Sequence, residues 1–143
     1  MSVPVAPTRL EAAARERGPL AYVFTVGEDG APHVVQADAQ VSGDEVVAIV
    51  GSRTAANARA RARVCLLFPS RHDHDRNLII DGVVAVEATP DDRAFRLRLT
   101  PTRAVLHRAV PAPDPTASPC GSDCVPIPLT ARPDVRTDRS PAI

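Results

Sequence analysis

Over Leu20–Val26 the side chains alternate: Leu20, Tyr22, Phe24 and Val26 fall on one parity, the smaller Ala21, Val23 and Thr25 on the other. A period of two is that of a β-strand with one face turned inward. Gly27-Glu28-Asp29-Gly30 follows as a hairpin turn, because Asp-Gly supplies the positive φ a tight turn needs. A second strand is expected over 33–41, a turn at Ser42-Gly43-Asp44 and a third strand over Glu45–Val50, which together make an antiparallel meander. The Ala- and Arg-rich stretch 54–62 predicts one central helix, and 64–68 returns to strand up to Pro69. Residues 78–89 predict a strand pair, or one long strand interrupted at Asp81-Gly82 by a bulge or bend. After a turn at Pro90-Asp91-Asp92, strands are expected over 94–100 and 103–108.

Ahead of the first strand, Thr8-Arg9-Leu10-Glu11 fits a capping box for a short helix to Arg17, which Gly18-Pro19 stops. Its apolar stripe of Leu10, Ala13 and Ala14 is narrow, so this helix is expected to lie on the body and add little core. Six or seven short strands with one central helix describe a small antiparallel barrel, since no strand-helix alternation recurs. Residues 1–110 form one domain on this reading. Past Val110 the chain changes character, with 8 of its 15 prolines in 111–143, and this tail is expected to run extended against the barrel or a partner subunit.

Composition adds limits. The 143 residues are 44% hydrophobic and 24% charged, as for one globular domain. Seventeen basic residues balance seventeen acidic ones, and every basic residue is Arg. A net charge of zero argues against sequence-independent nucleic-acid binding, so any anion site must be local. Aromatic residues make up only 3%, too few for stacking platforms. No apolar run approaches the roughly 20 residues of a membrane helix, and no signal-peptide pattern opens the chain, so a cytoplasmic location is expected. Cys65, Cys120 and Cys124 do not make a disulfide framework. His72-Asp73-His74-Asp75 offers metal-ligand types, but spacing dictates no third ligand; a solvated loop and no metal site are expected there.

The chemistry concentrates at Gly51-Ser52-Arg53-Thr54-Ala55-Ala56-Asn57, where the third strand passes into the helix. Unpaired N–H groups and the helix dipole suit this position to a phosphate, Ser52 and Thr54 add hydroxyls, and Arg53 adds a planar fork of donors. The competing interpretation makes Ser52 or Thr54 a helix cap and Arg53 a solvated side chain.

This run, continued through Arg63-Val64-Cys65-Leu66-Leu67-Phe68-Pro69, resembles the FMN-binding segment of the pyridoxamine 5′-phosphate oxidase-like family. The hairpin Ala21-Tyr22-Val23 through Asp29-Gly30-Ala31-Pro32-His33-Val34-Val35 resembles that family's first two strands, and the similarity extends over about 20–108. The resemblance implies a Greek-key split β-barrel that dimerises, with flavin in a groove between subunits and its phosphate near the helix start. It implies cofactor roles for Ser52, Arg53, Thr54 and Asn57 at the phosphate, for His33 as an assisting cation, and for Gln36 either at a flavin edge or as an outward polar residue. Family members usually carry Arg-Lys where this chain has Arg53-Thr54, and a stronger base where it has His33, so the phosphate site is weakened. The basic and aromatic residues that bind pyridoxamine phosphate are missing, and no catalytic acid or base is identified.

The expectation is therefore a homodimeric oxidoreductase using FMN, or alternatively a deazaflavin, on a small molecule. The alternative is a non-catalytic flavin-binding or scaffold protein. Haem binding through His33 or His107 is a third option. The Cys120-Gly121-Ser122-Asp123-Cys124 segment resembles the tail of short actinobacterial-type members, which implies a tail folded over the barrel or the groove with Asp123 or Cys124 near the ligand.

Overall fold

The computed structural model describes residues 9–72, 75–109 and 122–129. Seven antiparallel strands run β1 (Leu20–Val26), β2 (Pro32–Ser42), β3 (Glu45–Val50), β4 (Arg63–Phe68), β5 (Asn77–Ala88), β6 (Phe95–Ala109) and β7 (Ser122–Ile127). Their order is β3-β2-β1-β4-β5-β6-β7, and β3 also pairs with β6, so the first six strands close into a barrel with β7 added outside it. Helix α1 (Arg9–Arg17) precedes the barrel and α2 (Ser52–Ala60) carries the chain from β3 to β4. This is the mainly β split barrel with two helices that the strand pattern indicates.

The turns behave as their residues require. Gly30 and Gly43 adopt φ of 80° and 60°, the left-handed region that glycine enters without steric cost. Asp29 steadies the first hairpin by accepting the Ala31 N–H at 3.0 Å.

Residues 94–100 and 103–108, expected as two strands, form the single 15-residue strand β6. It pairs first with β3, from Val50↔Phe95 to Val46↔Leu99, and then with β7, from Ala104↔Ile127 to Ala109↔Ser122. Along β5 the register shifts between Asp81 and Gly82, which pair with Arg103 and Pro101, leaving Thr102 as the extra residue. The two strands close together so tightly there that a Cβ on Gly82 would lie 2.5 Å from the Thr100 carbonyl oxygen and 2.7 Å from a Leu99 methyl. The bulge expected at Asp81-Gly82 is thus the place where both long strands bend.

The core combines the inner positions of the strands, such as Val23, Ala48, Leu66, Ile80 and Leu97, with residues from both helices. Leu10 of α1 is among the largest fully buried side chains, so α1 contributes to the core, contrary to the expectation from its narrow stripe. The stripe is narrow, but one leucine fills the space it faces. Thr8 lies outside the described residues. Glu11, its expected capping partner, accepts the Gly43 N–H at 3.1 Å and pairs with Arg15, tying α1 to the β2–β3 turn. Gly18 ends α1 with an N–H bond to the Ala14 carbonyl at 2.6 Å. On the outside, Arg98 reaches both Glu45 and Glu87, and it holds the Glu87 carboxyl below the usual carboxylate range. Arg96 and Arg98 thus lie on the solvent face of the barrel, as their alternation with apolar residues indicates.

Gly82→Ala is expected to destabilise the fold by roughly 1–3 kcal/mol, because a backbone carbonyl cannot retreat from the added methyl. Urea unfolding measures this as a lower midpoint at constant slope; an unchanged midpoint would show that the strands separate there freely.

Candidate functional site

Strand β3 ends at Val50, and Gly51, in extended conformation (φ −82°, ψ 177°), becomes the cap residue of α2 without any side-chain capping bond. The first intrahelical bond runs from Ala55 N–H to the Gly51 carbonyl at 3.0 Å. The N–H groups of Ser52, Arg53 and Thr54 have no acceptor among the described residues, as helix geometry requires when no cap is supplied. The capping interpretation of Ser52 and Thr54 therefore does not describe this helix. Nothing within 4 Å would meet a Cβ on Gly51, so the approach to these donors is open.

Around the helix start, Ser52 and Arg53 are exposed, and Arg53 has no carboxylate partner among the described residues. Thr54 is buried at the inner edge of the turn, with its Oγ1 3.2 Å from Nε2 of His33. The two positions where this chain carries weaker phosphate ligands than expected thus touch each other.

Two candidate residues lie elsewhere. Asn57 is buried on the inner side of α2 and donates its amide to Thr25 Oγ1 at 3.2 Å, fastening the helix to β1. Gln36 stands three residues from His33 on a strand, so it faces the opposite way, outward and across from Tyr22. His107 lies on β6, paired with Asn77 on one side and Cys124 on the other. Asp73, His74, Cys120 and Gly121 lie outside the described residues, and Asp123 pairs through its backbone with Arg108. Among the described residues no group of three or more His, Cys, Asp or Glu gathers in metal-binding geometry, and no helix is long and apolar enough to cross a membrane.

No family model matches the chain. Uncharacterized proteins of Mycobacterium bovis (Mb0449c) and Mycobacterium tuberculosis (MT0457) are each 35% identical to it over 126 residues, spanning 80% of this chain and 89% of theirs. The chain belongs to their family. Solved structures resemble it at lower identity. A Clostridium acetobutylicum protein of the pyridoxinephosphate oxidase family has a TM-score of 0.59 at 13% identity, over 79% of this chain and 89% of its own. An F420 reductase has a TM-score of 0.56 at 17% identity, over 71% and 98%. A heme binding protein from Mycobacterium smegmatis has a TM-score of 0.58 at 12% identity, over 85% and 59%. The fold this family member adopts is the pyridoxamine 5′-phosphate oxidase-like split barrel.

In this family member the face of β1 turned inward is the small one, Ala21, Val23 and Thr25, all buried. Leu20, Tyr22, Phe24 and Val26 point outward and stay 37–47% exposed, joined by Val34 and Ile49. Pairing registers continue this apolar outer face across β4 and β5: Gln36, Tyr22, Leu67 and Ile79 form one cross-strand row, and Val34, Phe24, Cys65 and Asp81 the next. Period-two alternation shows that such a face exists, but not that the barrel interior rejects its larger members.

Cys65 sits half-buried in the second row. Burial, reinforced by the Asp81 carboxylate beside it, pushes its thiol up to about 12. The thiolate is the reactive form, so Cys65 is expected to resist iodoacetamide at pH 8 under conditions that alkylate an unstructured cysteine peptide. Asp81→Asn should speed its modification. Peptide-level mass spectrometry checks both, and rapid labelling of Cys65 in the native protein would contradict the assignment.

Proposed function

We propose that this chain binds a flavin-type cofactor by its phosphate at the start of α2 and acts as an oxidoreductase on a small organic molecule. The observation that carries this reading is the helix start itself: three backbone donors without an acceptor among the described residues, beside an Arg53 without a carboxylate partner among them. A phosphate dianion is what such an arrangement attracts, through the helix dipole and charge-assisted hydrogen bonds. The residues present fit that group.

On this reading Ser52 offers its hydroxyl and Thr54 its backbone N–H, Arg53 grips two phosphate oxygens with its fork, and His33 supports the inner side of the site through the Thr54 hydroxyl. Asn57 holds the helix against β1 through Thr25, so the donors keep their aim. Gln36, outward beside Tyr22, offers its amide to a ring edge. When bound, a flavin supplies reversible hydride or electron transfer, and the protein supplies binding and orientation.

A second copy of the chain fits the same reading. Large exposed apolar side chains on one sheet face are unusual for a monomer, and Val34 and Ile49 bring that face next to His33 and Gly51. A partner seated there would form the other wall of the cofactor groove.

FMN is the expected cofactor, and the likeness to an F420 reductase favours a deazaflavin as the alternative. Non-denaturing mass spectrometry is expected to show a dimer that retains, or takes up on titration, one flavin or deazaflavin per chain. Arg53→Ala should weaken that binding roughly tenfold or more. Turnover with NADH, NADPH or reduced deazaflavin separates an oxidoreductase from a binding protein that has lost the chemistry. A protein that takes up neither flavin nor deazaflavin, and instead gives a Soret band with haemin, would replace this reading with haem binding.

A further inference from the structure

Away from the helix start, the outer sheet face holds a trough of about 590 Å³ between the β1–β2 hairpin and the β5–β6 bulge. That volume is within the range of small-molecule sites, roughly 300–1,000 Å³. Its apolar walls are Phe24, Val26, Pro32 and Val83, and Cys65 and Asp81 also line it.

The charges around it are unequal. Asp81 is paired: one carboxylate oxygen takes Arg103 at 3.0 Å and its carbonyl takes Thr102 Oγ1 at 3.2 Å. Arg63, at the rim, is exposed and has no carboxylate partner among the described residues. Beside it, Arg61 donates to the carbonyl of Val26, one of the wall residues, at 2.6 Å. Between residues 51 and 68 the only charged side chains are arginines. The hairpin tip adds Glu28 and Asp29, of which Asp29 is engaged by the Ala31 N–H, and neither lines the trough.

We propose that this trough binds a small carboxylic acid with an aromatic or branched aliphatic body, its carboxylate on Arg63 and its body against Phe24, Val26 and Val83. A cationic ligand would have to compete with Arg103 for Asp81, whereas Arg63 holds no carboxylate among the described residues. A compact polyanion would have one free guanidinium and otherwise apolar walls. Phe24 and Val26 also belong to the outer face proposed above to seat a second copy, so in a dimer the trough stays open where that copy stops short of the charged rim, at which it would strip water from Arg63 and Arg103. The site shares no residue with the proposed phosphate site, so it stands whether or not flavin binds.

The test titrates the protein with 4-phenylbutyrate and with its neutral amide, following backbone amide shifts by NMR. The acid should move resonances of residues 24–26, 63–65 and 81–83, and the amide should bind roughly tenfold more weakly. Arg63→Gln, a substitution at an exposed position, should abolish the acid's advantage while leaving flavin uptake unchanged. Arg53→Ala should do the reverse, so the two sites fail or succeed separately. Equal affinity for acid and amide, an acid affinity indifferent to Arg63→Gln, or shifts confined to residues 52–54 would overturn the proposal. So would a native dimer in which the trough residues do not respond to the acid.

Discussion

The close approach of β5 and β6 at Gly82 is the constraint from which the rest of the architecture follows. With no side chain there, the Thr100 carbonyl and Leu99 occupy the space that a methyl group would claim, and Thr102 is extruded as the unpaired residue. The bend lets one strand serve two neighbours, with Phe95 to Leu99 closing the barrel on β3 and Ala104 to Ala109 receiving β7. Closing on β3 in turn fixes Val50 against Phe95 and so decides where the chain leaves the sheet to begin α2. The Val84 N–H bond to the Ala62 carbonyl, at 2.9 Å, ties the far end of that helix to the same bent strand. The donors at the helix start are held between these two attachments.

The size of side chains on each face of β1 follows from the same geometry. A barrel this small, with α2 laid against it, leaves space inside for Ala21, Val23 and Thr25, and Thr25 also receives the Asn57 amide. The aromatic and longer aliphatic residues are displaced outward. Each loses the stabilisation of full burial, about 25 cal/mol for every Å² left in water, until something covers it. Hydrophobic driving force in this chain is therefore divided between the interior and one external face.

Much of this was legible in the sequence, because local chemistry dictated it. Asp29-Gly30 and Gly43 announced their turns through conformations that few other residues accept, and Gly82 marked the bulge. The passage from Glu45–Val50 into an Ala- and Arg-rich helix located the phosphate-type site. What remained hidden depended on distant partners. Nothing near Leu10 in the chain tells of the space it fills, and Asn57 reads as a residue for the phosphate until Thr25 is brought beneath it. Residues 101 and 102 fell outside both expected strands, whereas Pro101 lies buried in one continuous strand beside the extruded Thr102. The trough around Arg63 gathers residues from two hairpins and a bulge, so no spacing in the chain could signal it.

Strand β7 carries a last consequence. It is the outermost strand of a sheet whose other end is used in closing the barrel, so its free side offers a template on which another chain could continue the ladder. Pro126 stands next to last in that strand, opposite Val105, and a proline has no N–H to give. A continuous row of backbone donors is what edge-to-edge aggregation requires, and here the row is interrupted by covalent structure rather than by charge. The proline that excludes this segment from a sheet interior thus also protects the sheet where it stops.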